Sequence, residues 1–151
     1  MLEIFESIVD IDSFKAPEYT QEEIDLKIQL TESEKLDAIA CDFINCDFYN
    51  DDELGLPEVI EIELSDLAGT CRNDFHNNWY EALHGLNKKR HFDLFVSKEE
   101  LNSRIHVVND DMPDVIEVDG KYYINSNGRH RLTIAKCRGI KTALVVVRRL
   151  K

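Results

Sequence analysis

The chain has 151 residues, of which 43% are hydrophobic and 32% are charged, and its net charge is −12. This composition predicts one globular domain, or a domain of about 100 residues with an appendage, and excludes a disordered chain. No apolar run approaches the roughly 20 residues that cross a bilayer, and the acidic N-terminus lacks the basic start of a signal peptide. We therefore expect a cytoplasmic protein without a membrane partner.

Metal and disulfide sites are not indicated by the sequence. The four cysteines form no C-x-x-C pair, which zinc knuckles and thioredoxin-type motifs require. The many carboxylates of the first 57 residues lack the alternating ligands and the glycine of a calcium-binding loop. We expect reduced, mostly buried thiols and no set of metal-ligating residues.

Charge is distributed very unevenly along the chain. Residues 1–75 contain 4 basic and 21 acidic side chains, a net of −17, whereas residues 76–151 contain 14 and 9, a net of +5. This asymmetry has two explanations, which the sequence leaves open. The basic half binds an anionic partner, or the acidic half folds back against it.

The first 57 residues are predicted to form an acidic helical extension. Thr20 and Glu23 have the spacing of a capping box, and so do Thr31 and Glu34, so each pair marks the start of a helical segment. The sequence does not decide whether these segments form one bent helix or two. A loop is expected from residue 45 to 52.

From residue 58 the pattern changes to that of a mixed α/β domain. Alternating apolar and acidic residues predict a strand over 58–64, and a turn over 65–69 follows it. Apolar residues at helical spacing then predict a helix over 73–86, with Trp79 in the core. A basic loop over 87–91 and a strand over 92–96 are expected next, followed by a helix that Ser97 caps. The predicted fold class is therefore α+β, with residues 58–151 as the main domain.

The stretch from 114 to 147 carries the clearest pattern. Two rows of apolar residues flank Asp119-Gly120, a dipeptide that suits a two-residue hairpin turn. A glycine-containing basic loop and a helix ending near Gly139 follow. The last run, 143–147, is continuously apolar, which is typical of a strand buried on both faces.

The basic loop is the candidate functional site, and its residues are Asn127, Gly128, Arg129, His130 and Arg131. A glycine where a strand meets a helix permits close approach of a ligand, and the amides and dipole of a helix start favour an anion. Arginines add bidentate donors for phosphate. The alternative is that the arginines pair with carboxylates of the acidic half.

Residues 114–147 resemble the ParB/sulfiredoxin-like superfamily, whose pattern is strand, turn, strand, a motif ending in Gly-x-(His/Arg)-Arg, helix and strand. Members include partition proteins that bind CTP, sulfiredoxins that use ATP and free serine kinases. The resemblance implies that Gly128 and Arg131 contact nucleotide phosphates and that His130 occupies the histidine position. It also implies ATP or CTP with Mg²⁺ as the cofactor.

Two positions depart from this family pattern. Arg129 stands where sulfiredoxins carry a catalytic cysteine and where partition proteins carry glutamate. Asn127 stands where the kinase-like members carry aspartate, and an amide cannot act as a base. The resemblance therefore favours binding over catalysis, with His130 as the remaining acid–base candidate, since its reference pKa is about 6.5.

Two functions follow as expectations. The first is binding of a nucleotide or phosphorylated small molecule, with possible phosphotransfer or nucleotide hydrolysis. The second is a non-enzymatic interaction protein (an immunity protein, antitoxin or phage-encoded inhibitor) whose acidic half covers a basic protein partner. DNA binding by the basic C-terminal run is less favoured, because the whole chain is strongly anionic.

Overall fold

The structure, a computed structural model, describes residues 19–86 and 97–151. These residues form five α-helices: α1 (Gln21–Lys27), α2 (Glu32–Ala40), α3 (Trp79–His84), α4 (Lys98–Arg104) and α5 (Arg129–Cys137). They also form six strands: β1 (Ile44–Asn45), β2 (Glu58–Glu63), β3 (Leu67–Thr70), β4 (Asp114–Val118), β5 (Lys121–Ile124) and β6 (Thr142–Arg149). The predicted α+β class is confirmed.

The six strands form one mixed sheet in the order β1-β3-β5-β4-β6-β2. The pairs β1/β3, β3/β5 and β4/β6 are parallel, and the pairs β4/β5 and β6/β2 are antiparallel. The predicted hairpin joins β4 to β5. Its turn residues Asp119 and Gly120 have φ values of 51° and 79°, as a type I′ turn requires at both central positions.

The two faces of the sheet are covered differently. One face packs against all five helices and carries the main hydrophobic core, whose members include Ile24, Trp79, Leu101, Leu132 and Val145. The other face carries a small cluster of three buried residues, Leu54, Cys71 and Ile116, against which Cys46, Tyr49, Val118 and Tyr123 pack. We call these the helical face and the open face.

The two capping boxes predicted in the acidic half are confirmed, and they start two separate helices. The hydroxyl of Thr20 accepts from the Glu23 amide at 3.2 Å, and that of Thr31 accepts from the Glu34 amide at 3.1 Å. Ile24, Ile28, Ala38 and Phe43 belong to the same core as the residues of the main domain. A separation of the chain near residue 57 stays a prediction.

Three local expectations differ from the structure. The predicted turn over 65–69 is a short 3-10 segment followed by β3, an internal strand of the sheet. The predicted helix over 73–86 is only α3, which Asn78 caps, and Phe75, outside this helix, is 73% exposed. The strand β6 is fully buried only at Ala143, Val145 and Val147, because its other face is the open face.

The strand expected over 92–96 and the basic loop over 87–91 lie outside the described residues. Among the helices of residues 19–86 and 97–151, none combines the length and the apolar composition that crossing a membrane requires.

Candidate functional site

The loop between β5 and α5 is held in place by one carboxylate, that of Asp114. It accepts hydrogen bonds from the backbone amides of Ser126 at 3.1 Å and Asn127 at 2.6 Å, and from the Ser126 hydroxyl at 2.9 Å. The Asn125 side-chain amide donates to the same carboxylate at 3.3 Å. Charge-assisted bonds of this kind are stronger than neutral ones, so the loop has a defined conformation.

Gly128 follows with φ 91° and ψ 10°, which is the left-handed conformation. A side chain here would place its Cβ only 2.3 Å from the Cβ of Pro113. Glycine is therefore required for two reasons, the backbone angle and the lack of space. On the side where a Cβ would project, the absence of a side chain lets Pro113 pack closely against Gly128.

Helix α5 begins directly after this glycine. Its first helical hydrogen bond runs from the Leu132 amide to the Gly128 carbonyl at 2.9 Å, and Gly128 provides no capping side chain. The first turn contains no acidic residue. The start of α5 thus combines the positive end of a helix dipole with two arginines.

Asn127 and the arginines contact groups of the protein. The Asn127 side-chain amide donates at 3.0 Å both to the Asp111 carboxylate and to the Met112 carbonyl. Arg129 Nη1 lies 3.1 Å from Asp74 Oδ2 and keeps 43% of its side chain exposed. These contacts bring the carboxylates of Asp111 and Asp74 against the loop.

Arg131 is more buried than Arg129, with 20% of its side chain exposed. Its Nη1 donates to the Asp111 carbonyl at 2.6 Å, and its Nη2 lies 3.7 Å from an Asp111 carboxylate oxygen. His130, half-buried, is the second residue of α5. The structure therefore brings all five predicted residues into one turn, and the phosphate-binding and catalytic roles assigned to them stay predictions.

The surroundings of the loop were not evident in the sequence. Asp74, Asp111 and Asp114 all contact it, and Asp74 lies 55 residues from its partner Arg129. Asp74 also contacts His76 Nε2 at 2.7 Å through its second oxygen. Local patterns do not reveal such contacts, because the pairing depends on how the sheet and helices assemble.

The basic C-terminal run contacts the acidic half in several places. Arg138 Nε donates to Glu34 at 3.1 Å, Arg148 Nη1 to Asp51 at 3.0 Å and Arg149 Nη1 to Glu58 at 2.8 Å. Lys136 Nζ donates to the Leu64 carbonyl at 2.7 Å, and burial lowers its pKa. Folding of the acidic half against the basic half thus accounts for part of the charge asymmetry.

No group of three or more potential metal-ligating side chains occurs in the part of the chain that the structure describes. Comparison of the chain with protein-family models, with curated proteins and with solved structures gave no match.

Proposed function

We propose that the start of α5 binds the phosphate of a nucleotide or of another phosphorylated small molecule. The observation that carries this proposal is the combination at one helix start of an uncapped first turn, the left-handed Gly128 and two arginines. Backbone N–H groups and guanidinium groups are the donors that phosphate prefers. The resemblance of residues 114–147 to the ParB/sulfiredoxin-like superfamily supports the same assignment.

The ion pairs of the arginines are compatible with an incoming phosphate. Exposed ion pairs contribute only about 0–1 kcal/mol, because water screens them. Arg129 is half-exposed, and Asp111, the carboxylate beside Arg131, is 81% exposed. A phosphate that accepts bidentate hydrogen bonds can therefore replace the exposed Asp111 carboxylate beside Arg131 at low cost. Asp74, the partner of Arg129, is 20% exposed and also contacts His76.

Catalysis, if it occurs, would depend on His130 as the proton donor or acceptor. Phosphotransfer and nucleotide hydrolysis require positioning and charge neutralisation more than covalent chemistry. Mg²⁺ commonly enters such sites bound to the nucleotide phosphates, with only one or two carboxylates of the protein. This fits a loop that has aspartates beside it and no preformed cluster of ligands among the described residues.

The test is a thermal-shift titration with ATP, ADP, CTP and GTP, each with Mg²⁺, on the unaltered protein and on Arg131→Ala and Arg129→Ala. Arg149→Ala is the matched control for Arg129→Ala, because both arginines are about equally exposed (47% and 43%) and both pair with carboxylates. We expect one nucleotide to raise the Tm of the unaltered and control proteins and to have little effect on the two loop variants. Absence of any shift, or an equal shift in Arg131→Ala, would refute the proposal.

A second function, binding of a basic protein surface, is favoured by the acidic half. On α2, Leu36, Ile39 and Ala40 are exposed at positions i, i+3 and i+4, so they form an apolar stripe on the solvent side. Exposed carboxylates flank it at Glu32 and Asp37. An apolar stripe framed by negative charge complements an amphipathic basic partner, as an immunity protein or antitoxin would require.

This second function predicts a charge-dependent complex. Co-purification from the source cells, followed by mass spectrometry, should identify a basic protein bound to the unaltered chain. We expect the double variant Leu36→Ser/Ile39→Ser to lose this binding and high salt to weaken it. Arg72→Ala, which alters an exposed residue outside the stripe, is the control. This function is excluded if the unaltered protein captures no basic partner. It is also excluded if the variant with the altered stripe captures the same partner equally well.

A further inference from the structure

We propose that Cys46 and Cys71 form a reversible thiol-oxidation site, closing to an intramolecular disulfide when a low-molecular-weight disulfide such as oxidised glutathione accumulates. The proposal is independent of the phosphate site and rests on the way that β1 and β3 pair. It concerns two of four cysteines that the sequence alone describes only as unpaired thiols.

Strand pairing places the two cysteines side by side. In the parallel pair β1/β3, Ile44 lies opposite Gly69 and Asn45 opposite Thr70. Cys46 directly follows Asn45, and Cys71 directly follows Thr70, so the same register places the two cysteines opposite each other. The Cys46 amide donates to the Thr70 carbonyl at 2.8 Å. Neighbouring strands lie about 4.8 Å apart, within the Cα separation of about 4.4–6.8 Å that disulfides span.

Both side chains project from the same face of the sheet. Cys71 is a member of the buried cluster on the open face, and Cys46 packs against that cluster. Directly paired residues of parallel strands project to the same side, so the two sulfurs face a common space. The other two cysteines lie elsewhere, since Cys137 belongs to the main core and Cys41 packs against it on the helical face.

The two thiols interact with each other and differ in their exposure to a reagent. The side-chain interaction with Cys46 lowers the pKa of the Cys71 thiol, burial opposes this, and the charge of Arg72 lowers it further. The same interaction, together with burial, raises the pKa of the Cys46 thiol. Cys46 is half-exposed and Cys71 is 1% exposed, so a reagent reaches Cys46 first.

The reaction proceeds in two exchange steps. Cys46 loses its proton to solvent, and its Sγ attacks one sulfur of the oxidised disulfide, so that the S–S bond of the oxidant breaks and a mixed disulfide forms. The released small thiolate takes up a proton. Cys71 then loses its proton, and its thiolate attacks Cys46 Sγ, so that the mixed disulfide breaks, the Cys46–Cys71 bond forms and the second small thiolate leaves and is protonated. Two electrons pass to the oxidant, and the two cysteine protons end on the released thiols.

Oxidation would also change a contact next to the phosphate loop. The Cys71 thiol lies 3.4 Å from Asn125 Oδ1, and the Asn125 amide donates to Asp114, the carboxylate that holds the loop. A disulfide has no S–H donor, so Asn125 loses this partner. The oxidation site is thus connected to the α5 loop through one side chain.

The test uses the full chain, incubated with oxidised glutathione over a range of ratios to reduced glutathione, alkylated and mapped by mass spectrometry. We expect a linked pair of peptides carrying Cys46 and Cys71, which disappears on reduction. Cys41→Ser/Cys137→Ser should form the same link, and Cys46→Ser should not. Peptide mapping of the unaltered chain provides the answer even if a variant fails to fold.

Other outcomes would overturn the proposal. The first is full alkylation of Cys46 and Cys71 at ratios of oxidised to reduced glutathione that oxidise a solvent-exposed model dithiol. The second is a mixed disulfide on Cys46 that Cys71 never resolves, and the third is a link that involves Cys41 or Cys137. Formation of the link only after unfolding in denaturant would also exclude a site built by the native β1/β3 pairing.

Discussion

The helical face and the open face of the sheet belong to the same strands, yet they have different coverage and different chemistry. The helical face is buried by five helices and contains nearly all the large core residues, including Trp79 and Leu132 at 0% exposure. Among the described residues, the open face carries a cluster of three buried residues, against which Cys46 and Tyr49 pack. Burial on the helical face provides stability, whereas the open face leaves the Cys46 thiol within reach of solvent.

The largest expected effect comes from removing a core side chain on each face. Leu132→Ala should lower the free energy of unfolding by about 4–5 kcal/mol, because tightly packed helices cannot close the cavity. Leu54→Ala should cost about 2–3 kcal/mol, since its cluster is small and the residues packed against it can move inward. Urea unfolding of both variants measures the difference. Equal losses would show that the open face is as tightly packed as the helical face.

The next effect concerns the glycine where α5 begins. Gly128→Ala should cost about 2–4 kcal/mol, because the added Cβ meets Pro113 at 2.3 Å and the backbone has positive φ. Gly120→Ala is the matched control, since it also has positive φ but nothing lies within 4 Å of its Cβ. The control should cost only about 1 kcal/mol. Thermal or urea unfolding gives both values, and similar losses would mean that the contact with Pro113 relaxes freely.

Local patterns sufficed for the parts of the fold whose physics is local. The Thr20 and Thr31 capping boxes and the Asp119-Gly120 turn depend on residues at most four apart, and all three are confirmed. The strand β3 was missed because its Leu-Ala-Gly-Thr sequence has little strand propensity, and pairing with β1 and β5 determines its conformation.

The candidate site shows the same division between local and long-range information. The five residues of the loop are consecutive, so the sequence could place them together. Their partners Asp74 and Asp111 lie 55 and 20 residues away from the arginines they contact. The pairing of Cys46 with Cys71 likewise depends on the register of β1 and β3, and no spacing rule predicts it.

A smaller effect tests how the acidic N-terminal helices attach to the helical face. The Asp25 carboxylate of α1 accepts from the Tyr80 hydroxyl at 2.6 Å and lies 3.1 Å from His84 Nε2, both on α3. Asp25→Ala leaves these part-buried groups without this partner and should cost about 1–3 kcal/mol. The control Asp37→Ala alters an exposed residue of α2 and should change stability by less than about 0.5 kcal/mol. If urea unfolding shows equal stability for both variants, the α1–α3 contact contributes nothing.

The smallest effect depends on pH and lies at the solvent-facing start of α3. The Asn77 backbone N–H, donating to Glu81 at 3.0 Å, and then the Asn77 side-chain amide hold the pKa of the Glu81 carboxyl below its ordinary value of 4.5. Because the folded pKa is the lower one, its contribution to stability is present above the unfolded pKa and is lost as the pH falls through the folded pKa.

Glu81→Gln should therefore lower stability at neutral pH and leave it unchanged in acid, where the native carboxyl is protonated as well. Urea unfolding of both proteins across the acidic range measures the difference between them, which should shrink as the pH falls. A difference that stays constant with pH would mean that Glu81 acts through packing or helix propensity. The hydrogen bonds with Asn77 would then add nothing measurable to the capping that Asn78 already provides at 2.9 Å.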